Sequence, residues 1–283
     1  MLVTMKELLV RAMEGNYAVL APSMQCEGHM KMAIRAAEEM KSPIILNHRY
    51  DRFDDDFKRY AQIARQLAER TWVPVAINQD HGINEKENMA AISAGYTSIM
   101  VDRQIYPLDE NIQRVAYMTK IAHHAGVTVE SELGEAAWGD MNEVEAGKTK
   151  PEEVKRFVEE TGIDCLAVCI GNTNSMTTPK DQVGVTIDID LLARIEKETD
   201  VPLVLHGGSG VPLDVMSEIT QKHRICKVNV GSDFRLRSRD VLLEHINNNE
   251  EQLDWWRIFD KGYQERMFEK MEAFGSVGKA WTK

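Results

Sequence analysis

Val73-Pro74-Val75-Ala76-Ile77, continuing directly into Asn78-Gln79-Asp80-His81-Gly82, is the stretch on which the fold turns. A short apolar run that ends in an acid and an imidazole reads as a buried strand of an α/β sheet presenting reactive groups at its end. A second stretch, Leu203-Val204-Leu205-His206-Gly207-Gly208-Ser209-Gly210, carries another histidine from a strand end straight into a glycine-rich turn. Two strand-end histidines, one beside a carboxylate, suggest a metal site.

Working outward, β-branched runs recur at Tyr17–Ala21, Pro43–Leu46, Val73–Ile77, Thr97–Val101, Val127–Glu132, Cys165–Ile170, Val201–Leu205 and Ile225–Val230. Helical periodicity fills the gaps at Met30–Met40, Asp55–Arg70, Glu85–Ala94, Asp109–Ala125, Pro151–Thr161 and Asp188–Thr199. Eight alternating units predict an α/β fold, a (β/α)₈ TIM barrel in one domain over residues 1–283. A doubly wound open sheet gives the same alternation. Polar placement separates them, because Asn47-His48, Asp80-His81, Asp102, Glu130 and Glu132, Gly171-Asn172, His206-Gly207 and Asn229 arm nearly every strand end. Only a barrel brings all those ends to one mouth. Thr4–Glu14 is placed to cap the barrel floor, and Asn247–Trp256 with Tyr263–Ala273 forms a C-terminal helical extension in which Trp255-Trp256 is expected to pack, with an oligomer contact as the alternative.

The net charge of −11 argues against nucleic acid or an anionic membrane as partner, since both need a cationic face. No apolar run approaches the roughly 18–20 residues of a membrane span, and the start Met1-Leu2-Val3-Thr4-Met5-Lys6-Glu7 has no basic stretch before an apolar core. A cytoplasmic protein acting on a small molecule is expected. Cys26, Cys165, Cys169 and Cys226 show no Cys-x-x-Cys spacing and read as thiols rather than ligands or a disulfide.

Of eight histidines, His123, His124, His223 and His245 fall on helical stretches and read as surface residues, which leaves His29, His48, His81 and His206 as candidate ligands. Glu130-Ser131-Glu132 alternates on a strand, so both acids face one side of the wall, a costly burial unless a cation or donor offsets it. A divalent metal on His81 and His206, with Asp102 and Glu132 beside it, would satisfy these groups together; salt bridges across the interior are the competing account. His206-Gly207-Gly208-Ser209-Gly210 and Val228-Asn229-Val230-Gly231-Ser232-Asp233 follow the last two strands, where barrels cradle phosphate on backbone N–H groups. A phosphorylated substrate is predicted.

These motifs, with Met100-Val101-Asp102, Val129-Glu130-Ser131-Glu132-Leu133-Gly134, Thr161-Gly162-Ile163-Asp164, Lys227-Val228-Asn229 and Phe274-Gly275-Ser276, resemble the class II, metal-dependent ketose-bisphosphate aldolases over nearly the whole chain. The resemblance implies a divalent metal, Zn²⁺ first, on His81 and His206, with Asp80 as general acid/base. It also implies a substrate-binding set of Gly171, Ser175, Gly207, Gly208, Ser209, Asn229, Gly231 and Ser232, and a homodimer or homotetramer.

Departures from the pattern make this a divergent member. The third histidine ligand is Asn174, and the glycine after it is Ser175. An amide oxygen is a poorer zinc ligand, so Mn²⁺ or Mg²⁺, or recruitment of His48 or a carboxylate, enters as an alternative. The loop Glu135–Ala146 is shortened where the family carries its proton-abstracting glutamate, which leaves Asp140 or Glu143 as substitutes. Ala21-Pro22-Ser23-Met24 and Asn47-His48-Arg49 also differ from the pattern. The expected function is a metal-dependent aldolase that cleaves a phosphorylated ketose to a dihydroxyacetone phosphate-like half and an aldehyde. The alternatives are a metal-dependent epimerase or isomerase and a non-catalytic sugar-phosphate-binding paralogue. Cys165-Leu166-Ala167-Val168-Cys169-Ile170 carries no lysine for a Schiff base.

Overall fold

Eight parallel strands close into a barrel in chain order: β1 (Val19–Pro22), β2 (Ile44–Arg49), β3 (Val75–Gly82), β4 (Ser98–Val101), β5 (Thr128–Leu133), β6 (Cys165–Val168), β7 (Leu203–Leu205) and β8 (Ile225–Val230). Pairing of β1 with β8 shuts the ring. This computed structural model describes residues 1–49, 56–135, 141–173, 186–248 and 254–282, with only the backbone of 141–143.

The helices among these residues are α1 (Met5–Glu14), α2 (Glu27–Met40), α3 (Phe57–Arg70), α4 (Glu85–Ala94), α5 (Leu108–His124), α6 (Met141–Ala146), α7 (Pro151–Thr161), α8 (Ile189–Ile195), α9 (Leu213–Gln221), α10 (Ser232–Asn247) and α11 (Trp255–Ala273). Their starts follow local chemistry. Thr4, Asp56, Asn84, Asp188 and Asp254 each accept a backbone N–H of the first turn, and Pro151 opens α7, where no N–H is needed.

Alternation along the strands sorts two cores. Outward residues such as Leu20, Ile44, Ile77, Val101, Val129, Leu166 and Val228 pack under the helices. Inward residues Val19, Ile45, Ala76, Cys165, Val204 and Cys226 meet Met5, Leu8, Leu9 and Ala12 of α1, which does cap the floor. Met5, Leu8 and Leu9 are fully buried there, each worth roughly 1.5–3 kcal/mol. With apolar side chains filling the floor, the polar inward residues are left at the opposite end, the mouth.

The strands differ from expectation where polarity ended the apolar runs. β2 and β3 run on to Arg49 and Gly82, because they pair residue for residue through Asn47–Asn78, His48–Gln79 and Arg49–Asp80. Backbone pairing continues regardless of side-chain polarity. Between β7 and β8 the register slips at Cys226, so that Cys226 packs in the floor while the next residue, Lys227, reaches the middle of the barrel. The helical extension α11 lies against α10, α2 and α9. Trp256 on it is 78% exposed, so the packing expected there is not found: its side chain is on the solvent side of the helix.

Candidate metal and catalytic site

Asp80 and His81 occupy the end of β3 within a register break between Gln79 and Gly82, and His81 takes a left-handed backbone, φ 50°. That bulge turns consecutive side chains toward the mouth. His81 Nδ1 lies 2.9 Å from Asp102 Oδ2, at the end of β4. His206, directly after β7, places Nε2 2.8 Å from Glu130 Oε1. An ionised carboxylate only accepts, so each histidine turns an N–H to its acid and aims its other nitrogen elsewhere. Those two nitrogens, His81 Nε2 and His206 Nδ1, face each other at 3.2 Å.

Two lone pairs at that separation require a proton or a cation between them. Zinc–imidazole bonds of about 2.0–2.1 Å at a tetrahedral angle would set the nitrogens roughly 3.3 Å apart, close to the spacing found. Asp80 lies beside the pair, its oxygen falling with the two ring nitrogens inside a 4.8 Å cluster. Two carboxylate-backed imidazoles with an anionic carboxylate alongside therefore fit a divalent ion.

Charge in the site is tightly matched. Burial raises the Asp80 carboxyl, but the neighbouring charges of His81, His206, Lys227 and Arg49 hold it down at about 2. Burial lowers His81, yet Asp80, the bond from Asp102 and Glu132 push it up to about 9. Glu130 is fully buried and still held below its ordinary range, because Lys227 Nζ sits 2.6 Å from its second oxygen. Burial first, and then the charge of Asp102, pushes Glu132 up; its Oε1 accepts from the Cys169 thiol at 3.3 Å, and its Oε2 has no hydrogen-bond partner among the described residues.

The expected residues divide as follows. Asp80, His81, His206, Asp102 and Glu132 come together; Asp102 bonds the back of His81, and Glu132 lies beyond that pair in a second cluster with both. Gly207, Ser209, Asn229, Gly231 and Ser232 line the same cavity as Asp80 and His81. Gly208 N–H donates to the Asn229 carbonyl at 2.9 Å, joining the two turns. Gly207 sits at φ 63°, where a β-carbon would meet the Thr173 carbonyl at 2.0 Å, so only glycine makes this turn. Ser209 Oγ accepts from the N–H groups of Gly231 and Asp233, fixing the first turn against the start of α10.

Gly171 opens instead on a separate hollow with Ile187 and Asp188, and Thr173 lines the mouth. Asn174, Ser175 and Asp140, and the side chain of Glu143, lie outside the described residues. His48 is not available as a ligand. It projects from β2 to the outside of the barrel, stacked on Tyr60 and bonded through Nδ1 to the Tyr96 hydroxyl at 2.5 Å. His29 is likewise remote from the pair, stacked on Tyr263.

Sequence reasoning did not assign roles to Glu130, Lys227, Arg49 or Arg235. The alternation Glu130-Ser131-Glu132 pointed inward, but the cation opposite it lies 97 residues away. Asn229 Nδ2 also donates to Asp80 Oδ1 at 3.0 Å, linking the phosphate turn to the acid.

Comparison with known proteins converges on one family. The family model described as fructose-bisphosphate aldolase class II matches residues 3–279. A fructose-bisphosphate aldolase of Geobacillus stearothermophilus is 33% identical over 288 residues, covering 99% of each chain. One from Thermus caldophilus is 33% identical over 307 residues, covering 99% of this chain and all of its own. The crystal structure of the YdjI aldolase from Escherichia coli K12 superposes with a TM-score of 0.85 at 29% identity, over 99% of this chain and 100% of that one.

Proposed function

Because the chain belongs to the class II fructose-bisphosphate aldolase family, and so is a metal-dependent aldolase, a carbon–carbon aldehyde-lyase, we propose that His81 and His206 hold its metal and Asp80 moves its proton. The observation that carries this is the facing pair His81 Nε2 and His206 Nδ1 at 3.2 Å, each backed by a carboxylate, with Asp80 alongside. Zn²⁺ is the ion proposed, with Mn²⁺ or Mg²⁺ if Asn174 supplies an amide oxygen as third protein ligand. A divalent ion supplies Lewis acidity that polarises a ketone carbonyl.

The residues then divide the work. The substrate is a phosphorylated ketose such as a ketose bisphosphate, its phosphate received by the turns Gly207-Gly208-Ser209 and Asn229–Ser232 at the start of α10, with Arg235 on the same wall. Asp80, held as carboxylate, takes the proton of the hydroxyl on the carbon that becomes the aldehyde. As that O–H bond breaks and C=O forms, the adjacent C–C bond breaks, and its electron pair passes into the ketone half. A proton delivered to that carbon completes dihydroxyacetone phosphate, and Asp140 or Glu143 is proposed to carry it. In condensation the same groups act in reverse. Asn229, bonded to Asp80, keeps the carboxylate oriented toward the phosphate-bound substrate.

The same proposal takes the chain as one domain, cytoplasmic, and a homodimer or homotetramer. No helix among the described residues is long and apolar enough to cross a membrane.

The test is cleavage of fructose 1,6-bisphosphate and tagatose 1,6-bisphosphate, followed by coupled detection of triose phosphate, before and after chelation and on readdition of Zn²⁺ or Mn²⁺. Metal-restored release of triose phosphate, abolished in Asp80→Ala while phosphate binding persists, is the expected result. Equal loss of turnover and phosphate binding in Asp80→Ala would remove its proton-transfer role.

A further inference from the structure

We propose that Arg103 is a positioning residue for the metal site: a buried guanidinium that clamps the bulged end of β3 to the end of β4 and so fixes His81 against Asp102. The proposal rests on the reading that His81 holds the ion.

The need for a clamp comes from the backbone. His81 stands in the register break of β3 at φ 50°, a conformation that strains a residue with a β-carbon and persists only where its surroundings enforce it. Its bond to Asp102 spans two strands just where their regular pairing is interrupted. Neither strand alone can set that distance.

Arg103 directly follows Asp102 and is 2% exposed. Its Nη1 donates to the carbonyls of Gly82 and Asp102, at 2.6 Å each, and its Nη2 to Asn88 Oδ1 at 2.8 Å. Asn88, on α4, passes the restraint on through Nδ2 to Gln79 Oε1 and to the Met100 carbonyl, at 3.0 Å each. The residues that flank the bulge, Gln79 and Gly82, and the end of the neighbouring strand are thus tied to one planar group. Gly82 is fitted to this network, since a β-carbon there would lie 2.1 Å from Asn88 Nδ2 and 2.8 Å from the Met100 carbonyl.

The bonds explain why the residue is arginine. All three acceptors are neutral carbonyl or amide oxygens, so the charge itself is not what they require. A rigid fork that presents several N–H groups in fixed directions is what arginine supplies and lysine does not. Burying a guanidinium is unfavourable, which lowers its proton affinity here. Such a group at the back of a ligand pair holds geometry that the ion then uses.

The experiment measures Zn²⁺ and Mn²⁺ affinity of metal-free wild type, R103K and R103M by competition with a chromophoric chelator. Inorganic phosphate binding and far-ultraviolet circular dichroism are measured in parallel. Expected is a loss of ion affinity of roughly 10–100-fold in R103M, the range for removal of a group that orients a metal ligand, and a smaller loss in R103K. Phosphate affinity should stay within about twofold of wild type, because Arg103 donates none of its bonds to the phosphate turns. If R103M does not fold, R103K decides alone. Wild-type ion affinity in a folded variant, or parallel loss of ion and phosphate binding, overturns the proposal. A wild type that binds no divalent ion instead removes the functional reading beneath it, and shows this before any substitution is made.

Discussion

Replacing Lys227 with methionine tests the charge matching that underlies the site. Lys227 and Glu130 are both wholly buried, 2.6 Å apart, and Glu130 is the acid that orients His206. Methionine fills much of the same volume, so the packing loss is small and the change isolates the cation. Glu130 is then left as a buried carboxylate with only His206 to balance it, and breaking a buried pair from one side costs about 3–5 kcal/mol. At roughly 2 °C per kcal/mol for a chain of this size, the unfolding midpoint should fall by about 6–10 °C. The pH dependence gives the sign. In the wild type Glu130 is held below its ordinary range, so its contribution is full above the unfolded pKa and fades as pH falls through the folded value. In the variant the folded carboxyl rises above its unfolded value, so its penalty is full at neutral pH and disappears as acid protonates it. Over pH 8 to 5.5 only the second effect operates, because the first sets in below the ordinary carboxylate range, and it narrows the gap on acidification. Scanning calorimetry of metal-free wild type and Lys227→Met from pH 8 to 5.5 reads this directly. A midpoint change within about 1 °C at pH 8, or a gap that stays constant with pH, would refute the reasoning.

Three further outcomes follow from the same geometry. His81 is pushed up to about 9, so an ion binding at neutral pH displaces its proton; affinity should fall about tenfold for each pH unit below 9, and calorimetry in buffers of different ionisation enthalpy should find about one proton released. Gly207→Ala places a β-carbon against the Thr173 carbonyl at positive φ, and should weaken inorganic phosphate binding and cost on the order of 1–3 kcal/mol of stability, read by titration and by urea unfolding. Asp80→Asn keeps the bond from Asn229 in shape but removes the base, and should lower kcat by about 10²–10⁴-fold with phosphate affinity unchanged in equilibrium binding.

What could be read from the chain alone depended on distance along it. The barrel was legible because β-branched runs such as Ile225–Val230 and the periodic Glu85–Ala94 and Pro151–Thr161 report burial through local alternation. His81 and His206 were legible because each follows an apolar run and precedes glycine. The partners that give them orientation were not. Lys227 is legible only as part of the motif Lys227-Val228-Asn229 until the ring closes it onto Glu130, and no local signal marks Arg103, which is found buried against Gly82 and Asn88. His48 shows the opposite error. A histidine at a strand end looked available for metal, but β2 continues past it, and alternation turns its ring outward onto Tyr60 and Tyr96. A polar residue within a continuing strand has no local signal for which face it takes.

The central claim is that the ion supporting cleavage sits between His81 and His206. Anomalous diffraction at the zinc edge from crystals of zinc-loaded enzyme locates it without reference to activity. A single strong peak bonded to His81 Nε2 and His206 Nδ1, with Asp102 and Glu130 still on their opposite ring nitrogens, is the expected result. Zinc bound elsewhere, with the two imidazoles still sharing a proton, would contradict it.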